Sequence, residues 1–160
     1  MEPFCKTDRP GLPTVFVLEG WMRRFDFLEA GVSSRLGGVS HAPYASLNCG
    51  LHVNDRAEHV VENRRRLARA TRLPFEAWTY AEQVHGRRVA VVTRRERGAG
   101  REMLSQALQA TDAFVTNEPD IALCALFADC VPIYLFDPDH RAVGLAHAGC
   151  RNLLPSWPTD

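Results

Sequence analysis

The chain has 160 residues, of which 46% are hydrophobic and 24% are charged, and its 19 basic and 19 acidic side chains cancel at pH 7. This composition is ordinary for a globular protein, and the length suffices for one domain with a buried core. No apolar run approaches the roughly 20 residues that span a bilayer, and the N-terminus lacks the apolar stretch of a secretion signal. We therefore expect a cytoplasmic protein without a membrane partner.

The cysteines also favour a reducing compartment. They are odd in number and form no Cys-x-x-Cys pair: Cys5, Cys49, Cys124, Cys130 and Cys150. This pattern argues against a disulfide framework or a zinc ribbon.

Charge is unevenly distributed along the chain. The segment 56–101 contains twelve arginines and five glutamates, whereas two arginines and eight acidic residues follow Arg101. A basic surface for phosphate or nucleic acid is one interpretation, and the solvated face of a helix with its neighbouring loops is the simpler one. Because no aromatic interleaving or nucleic-acid motif accompanies the arginines, we expect no nucleic-acid partner.

The hydrophobic pattern predicts one mixed α/β domain over residues 1–160. A loop rich in glycine, residues 35–50, could wrap a ligand. A helix is predicted from Asp55, in a capping box with Glu58, to about Thr71, with Arg64 to Arg66 mostly facing outward. A shorter helix is predicted over 101–110. The predicted strands are 14–18, 27–34, 77–82, 88–93, 113–116, 121–127, 131–136 and 142–147.

Three residues at strand-to-loop boundaries could perform chemistry: His85, Cys130 and His147. Cys130 and His147 are separated by one strand-turn-strand excursion, so both can lie at one edge of the sheet. Two imidazoles and one thiolate suit zinc, and three protein ligands leave the fourth tetrahedral position open, as in catalytic zinc sites. Such a site would lower the pKa of a bound water towards about 7.

Residue type and spacing leave other interpretations open. A buried cysteine with two hydrogen-bonded histidines would need no metal. Cys130 could instead be a nucleophile activated by His85 or His147, with Asp129 or Asn48 orienting the base, as in a cysteine hydrolase. Copper also binds such ligands but is less favoured, because a multinuclear cluster needs many more imidazoles and no His-x-His pair occurs.

Seven motifs in order resemble the YfiH-type laccase-domain proteins, also called polyphenol oxidoreductases and now regarded as purine nucleoside phosphorylases. The resemblance covers roughly residues 25–152, and it implies an α+β fold of mixed β-sheet layers packed with helices. The motifs are Ser34-Arg-Leu-Gly-Gly-Val-Ser40, Pro43-Tyr-Ala-Ser-Leu-Asn48, Leu51-His-Val53, Glu62-Asn-Arg-Arg65, Gln83-Val-His-Gly86, Ala128-Asp-Cys-Val-Pro132 and His147-Ala-Gly149.

The resemblance implies a zinc site on His85, Cys130 and His147. It also implies phosphorolysis of adenosine, guanosine, inosine and methylthioadenosine, together with deamination of adenosine. The expected partners are then purine nucleosides and phosphate. A non-enzymatic, degenerate member that only binds nucleoside or metal is a further alternative.

Three polar residues are candidates for substrate contact. Arg35, beside two glycines, is the leading candidate for phosphate or ribose, and Asn48 and Arg64 are weaker ones. Each has a structural alternative: a loop-bracing salt bridge for Arg35, an Asx-type turn for Asn48 and an exposed helix face for Arg64.

The chain departs from the family pattern near its end. Members usually continue the last motif as His-Ala-Gly-Trp-Arg-Gly, whereas this chain reads His147-Ala-Gly-Cys-Arg-Asn152. Members also continue through a helix and further strands that complete the sheet. We therefore expect a fold that is incomplete at the C-terminus, with impaired activity.

Overall fold

The chain divides into two compact units, Met1–Phe75 and Glu76–Asp160. The computed structural model describes residues 3–149, so Cys150 and the segment 151–160, on which the expected C-terminal departure falls, lie outside the described residues. Between residues 3 and 149, no helix has the length and apolar character needed to cross a bilayer. The prediction of a single domain over 1–160 stays a prediction.

From residue 3 to residue 75, the first unit forms a small antiparallel sheet and two helices. Its sheet has the order β1-β2-β3. The strand prediction for 27–34 was too long, because only three of its residues pair, and neither β1 nor the first helix was predicted. The elements in chain order are β1 (Cys5–Thr7), β2 (Val15–Val17), α1 (Glu19–Arg24), β3 (Gly31–Ser33) and α2 (Ala57–Ala70).

Helix α2 has the composition that its conformation requires. It contains neither glycine nor proline, it is rich in alanine and arginine, and it ends shortly before Pro74. The predicted capping box is wrong: the N-cap residue is Arg56, without a side-chain cap, and the Asp55 carboxylate instead accepts hydrogen bonds from Ser40 and Asn48. The Asp55 carboxylate, which the capping box would have aimed at the helix, thus serves two side chains of the preceding loop instead.

The buried stripe of α2 is partly polar. Asn63 is fully buried, and Arg64 is only 2% exposed, so the expectation that Arg64 faces outward is wrong. Both side chains satisfy the backbone of the preceding loop: Val39 N–H donates to Asn63 Oδ1 (2.8 Å), and Arg64 Nε donates to the carbonyl of Cys49 (2.8 Å). An irregular loop against a helix leaves backbone groups that need such partners.

The described part of the second unit, residues 76–149, forms two sheets. A parallel pair joins β4 to β7, and a four-stranded sheet has the order β5-β6-β9-β8, in which only the β5–β6 pair is parallel. The six strand predictions for this unit hold: three strands are shorter than predicted, one has the predicted bounds, and two are one residue longer. The strands are β4 (Trp78–Tyr80), β5 (Val89–Val91), β6 (Ala113–Thr116), β7 (Ala122–Cys124), β8 (Val131–Asp137) and β9 (Ala142–Ala148).

The core of this unit lies on one face of the four-stranded sheet. Phe114 of β6 and Leu145 of β9 are opposite each other in register, and Val92 follows β5 on the same face. Ala81 and Ile121 complete this buried cluster, and partly buried side chains such as Leu123 of β7 pack against it. This packing fixes the ends of β6 and β9, from which the candidate site is built.

The helix predicted over 101–110 is wrong. A single 3-10 turn, Leu104–Gln106, stands in its place. The reason is a competing backbone pairing: Leu108 N–H donates to the carbonyl of Tyr80, and the carbonyl of Leu108 accepts from Glu82 N–H. The chain at 108 therefore pairs beside β4 like a strand, which interrupts any helix.

We expect Asn63→Ala to destabilise the protein strongly. The substitution leaves the Val39 N–H and the Asn48 carbonyl without their buried partner, at a cost of about 2–4 kcal/mol in the free energy of unfolding. Urea denaturation checks the value, with Asn54→Ala as the control because Asn54 is exposed. Equal midpoints for the two variants would contradict the role of Asn63 as the support of the loop.

Candidate metal centre

His85 lies in the loop between β4 and β5, and its backbone is held by one carboxylate. Gln83 and His85 both adopt positive φ, 60° and 59°, which is unusual for residues other than glycine. The Asp112 carboxylate accepts three consecutive N–H groups of this loop, from Val84 (3.2 Å), His85 (2.8 Å) and Gly86 (2.8 Å). These bonds offset the cost of the left-handed backbone and fix where His85 projects.

Gln83 ties the same loop to the segment that follows β7. Its side-chain amide donates to the carbonyl of Leu126 (2.8 Å) and accepts from Leu126 N–H (2.8 Å). This two-point contact reproduces what a neighbouring strand would provide. The segment that leads to Cys130 is therefore held in register with the loop that carries His85.

His147, in β9, is buried, and the same carboxylate orients its ring. Its Nδ1 lies 3.0 Å from Asp112 Oδ1, and its backbone N–H donates to the Asp112 carbonyl (2.8 Å). Since the carboxylate accepts, Nδ1 carries the proton and Nε2 is left as the donor to a metal. The ring of Phe127 packs against the imidazole, with 5.7 Å between centroids.

The pKa of Asp112 lies below its usual value. Burial acts in the opposite direction, because it disfavours the charged form, but the hydrogen bonds from His147 and from the loop N–H groups outweigh it. Asp112 is thus an anion at neutral pH, which is the state needed to accept four hydrogen bonds.

Cys130 lies in the loop between β7 and β8, directly after a residue of unusual backbone conformation. Asp129 has a φ of 82° and is exposed. The turn brings Cys130 Sγ to 3.7 Å from His85 Nε2. Cys130 is half-buried, whereas the side chain of His85 is exposed, so the pair lies at the open side of the group.

The three side chains converge closely enough to share one ion. Their ligand atoms all lie within 4.8 Å of one another, and the rings of His85 and His147 meet edge to face with centroids 4.7 Å apart. A nitrogen and a sulfur that share a tetrahedral zinc lie about 3.6 Å apart, which the Cys130–His85 separation already approaches. The donor set and its geometry therefore fit a metal with three protein ligands.

Gly149 permits the position of the His85 ring. A Cβ atom built at Gly149 would lie 2.9 Å from His85 Cδ2, closer than real Cβ contacts. The glycine that follows His147 by two residues is thus needed for space. This contact gives the last glycine of the motif His147-Ala-Gly149 a physical reason.

The other predicted site residues lie in the first unit, where each has a defined structural contact. The exposed Arg35 donates from Nε and from a terminal nitrogen to the carbonyl of Ala45, so it braces the loop through backbone and not through a salt bridge. Asn48 forms the expected Asx turn, accepting from Gly50 N–H at 2.9 Å, and also donates to Asp55. Arg64 is buried, as described above.

The fold and the site define a class: mixed-sheet proteins that carry two histidines and one cysteine at a common sheet end. Residues 29–156 match the family model described as multi-copper polyphenol oxidoreductase laccase. The chain belongs to this family.

Proteins named purine nucleoside phosphorylase YlmD are similar to this chain. The one from Geobacillus stearothermophilus is 44% identical in an alignment of 146 residues that covers 88% of this chain and 53% of that protein. The one from Bacillus subtilis is 46% identical over 125 residues, 78% of this chain and 45% of that protein. The chain spans about half the length of these relatives.

Solved structures confirm the fold. The hypothetical protein YfiH of Bacillus licheniformis superposes with a TM-score of 0.82 at 38% identity, over 95% of this chain and 54% of the related chain. YlmD from Geobacillus stearothermophilus gives a TM-score of 0.76 at 38% identity, over 94% and 51%. The expected α+β fold of this family is therefore present in the half that this chain represents.

Asp112 is the residue that sequence reasoning missed. It follows a threonine at the start of a short strand, a position with no short-range signal of function. The one available signal was indirect, since histidines that bind metals commonly donate to a carboxylate, and Asp112 directly precedes a predicted strand that could pair with the one carrying His147.

We expect Asp112→Asn to weaken metal binding by about 10–100-fold, because an amide cannot accept from the loop N–H groups and from His147 at the same time. The measurement is zinc affinity by competition with a chromophoric chelator. Asp120→Asn is the control, since Asp120 is exposed in the same unit. An unchanged affinity for Asp112→Asn would refute the positioning role.

We expect Gly149→Ala to lower metal affinity with little change in stability. The added methyl group displaces the exposed ring of His85, which can turn towards solvent without opening the core. Zinc affinity and the thermal midpoint measure the two effects separately. Gly20→Ala serves for comparison, because nothing lies within 4 Å of the Cβ position there, and a variant at 149 that binds zinc as tightly as this control would contradict the steric argument.

Proposed function

We propose that this protein is a zinc-dependent purine nucleoside phosphorylase acting on adenosine, inosine, guanosine and methylthioadenosine, with adenosine deaminase side activity. The observation that carries the proposal is the convergence of the ligand atoms of His85, Cys130 and His147 within 4.8 Å. The names of the Geobacillus and Bacillus relatives support the reaction class. The chain spans about half the length of these relatives, so their activity, substrates and partners are carried over to it here as a proposal.

Zinc is favoured over copper on the chemistry of the donors. Between residues 3 and 149, one group of three or more metal-binding side chains is present, and it offers two nitrogens and one sulfur. A multinuclear copper cluster needs several more imidazoles. His85, Cys130 and His147 would hold the ion, and zinc bound there would activate a water or polarise an oxygen of the substrate.

The protein residues divide the remaining tasks. Asp112 keeps His147 in one tautomer and one orientation, so that the buried ligand is preorganised. Cys130 would bind the metal as a thiolate and would supply the negative charge of the ligand set. His85, the exposed ligand, forms the solvent side of the site, where a nucleoside would enter.

Phosphorolysis also needs a group that holds the phosphate near the anomeric carbon. Arg35 is the proposed phosphate or ribose contact, since it is exposed on a glycine-rich loop and already oriented by the Ala45 carbonyl. Asn48 and Arg64 are weaker candidates, because both already serve the loop itself. We assign them a supporting role in the shape of that loop.

A cysteine hydrolase is the second candidate function. The contact between Cys130 Sγ and His85 Nε2 at 3.7 Å favours it, because a nucleophile and its base need such proximity. The two functions differ in their metal requirement: a hydrolase of this kind keeps its activity after chelation, and the zinc enzyme loses it.

The test is chromatography of adenosine and inosine incubated with the protein, with and without phosphate. We expect free base to be released only when phosphate is present. The rate of base release should fall at least about 100-fold after chelation or in Cys130→Ala. Cys124→Ala is the matched control, since Cys124 is a half-buried cysteine outside the metal group.

Each other outcome selects a different function. Inosine from adenosine without any base release would leave only deamination. Activity that survives chelation but not Cys130→Ala would indicate the cysteine hydrolase. Zinc binding without turnover of either nucleoside would indicate a non-enzymatic binder and refute the proposal.

A further inference from the structure

Two histidines of the first unit meet where the glycine-rich loop contacts α2. His41 belongs to the loop and is exposed, and His59 lies in the first turn of α2 and is half-buried. Their rings are arranged edge to face, with 5.4 Å between centroids and 74° between planes. The rings of His85 and His147 have nearly the same arrangement, 4.7 Å and 70°. The first unit thus places another pair of imidazoles in a relative position close to that of the candidate metal centre.

The separation of the two rings suits one shared ion. An imidazole nitrogen binds zinc at about 2.0–2.1 Å, which places the ring centre about 3.2 Å from the ion. Two such rings at a tetrahedral ion have their centres about 5.2 Å apart. The observed 5.4 Å between His41 and His59 lies close to this value. A small rotation of the exposed His41 side chain would therefore aim both rings at one ion.

The ring nitrogens of this pair are available to a ligand. Within residues 3–149, no backbone or side-chain group is hydrogen-bonded to the ring of His41 or of His59. In contrast, the rings of His140 and His147 each contact a carboxylate. A neutral imidazole keeps an unshared electron pair on one nitrogen, and this is the donor that a transition-metal ion binds. The pair therefore offers two nitrogen ligands.

The contact between loop and helix holds both histidines in place. Ser40, which precedes His41, is buried, and its hydroxyl donates to Asp55 Oδ2 (2.6 Å) and accepts from Asn63 Nδ2 (2.8 Å). Asn63 and His59 lie one turn apart on α2, so the helix fixes their relative position. The backbone on both sides of the pair is therefore ordered before an ion binds, which lowers the entropic cost of binding.

A carboxylate close to the pair favours a cation. Burial tends to raise the pKa of the Asp55 carboxyl, but hydrogen bonds from Asn48, Ser40 and the Arg56 N–H lower it. A positive charge on His59 lowers it further, and the pKa of Asp55 lies below its usual value. Asp55 is thus an anion at neutral pH. Its oxygens already accept hydrogen bonds, so it contributes its charge and the two imidazoles contribute the donors.

We propose that His41 and His59 form a second metal site, which binds one divalent late transition-metal ion with water completing the coordination. Imidazole suits Cu²⁺, Ni²⁺ and Zn²⁺, whereas Mg²⁺ and Ca²⁺ prefer oxygen ligands. The bound ion joins the glycine-rich loop to α2 and stabilises the loop in this position. Because the site lies within the first unit, this inference does not depend on the proposed reaction.

The test uses the 160-residue chain without an affinity tag and with His85→Ala and Cys130→Ala, which remove two ligands of the candidate metal centre. Nickel chloride is titrated into it by calorimetry. We expect one Ni²⁺ ion per chain, bound at least about tenfold more weakly when His41→Ala or His59→Ala is added, because one imidazole then remains. Bound Ni²⁺ should also slow amide hydrogen exchange in the loop 35–50, and only when both histidines are present.

His52→Ala is the matched control, because His52 is an exposed histidine of the same unit outside the pair. Circular dichroism should show the same folded spectrum for all variants, since His41 and His52 are exposed and alanine favours the helix at 59. Three results would overturn the proposal. They are the absence of Ni²⁺ binding, which a plain contact between two rings predicts, binding that survives His41→Ala or His59→Ala, and an equal loss of binding in His52→Ala.

Discussion

The Asp112 carboxylate is the constraint on which the candidate site depends. It accepts three N–H groups from the loop that carries His85 and one from the ring of His147, so a single buried anion joins two segments that are about 60 residues apart in the chain. Because one acceptor fixes both histidines, their separation is set by the geometry of one side chain. Charge-assisted hydrogen bonds of this kind are stronger than neutral ones. Because the carboxylate is buried, removing it would leave its donors without water as a substitute acceptor.

The first unit uses the same principle with neutral groups. The glycine-rich loop has no regular backbone pairing, so α2 presents Asn63 and Arg64 to it from the buried side of the helix. A Cβ atom on Gly38 would lie 2.5 Å from Asn63 Oδ1 and 2.1 Å from the Ser46 carbonyl, so the loop approaches the helix as closely as glycine allows. The presence of Gly38 in one motif and of Asn63 in another is therefore explained by the contact between loop and helix, without reference to a ligand.

Sequence reasoning located every described strand except β1, and it singled out three side chains that the structure brings together, because both leave local signals. Apolar runs mark buried strands, and His85, Cys130 and His147 stand at the boundaries of such runs. It failed where a local pattern competed with a distant partner. The run Arg64 to Arg66 was interpreted as an exposed face, but a carbonyl fifteen residues away draws Arg64 inside. The segment 101–110 has helical composition, yet its pairing beside β4 decides its conformation. Asp112 acts only through residues that are close in space, so nothing near it in the chain revealed its role.

The backbone at Asp129 explains a residue that otherwise invites a chemical role. Its φ of 82° lies in a region that aspartate, asparagine and glycine tolerate far better than other residues. The backbone conformation is therefore a sufficient reason for an aspartate before Cys130. We expect natural variation at position 129 to favour residues that tolerate positive φ, whether or not they carry a charge. Asparagine or glycine would then be the neutral replacements, whereas glutamate, which keeps the charge but not the tolerance, would be the rare one.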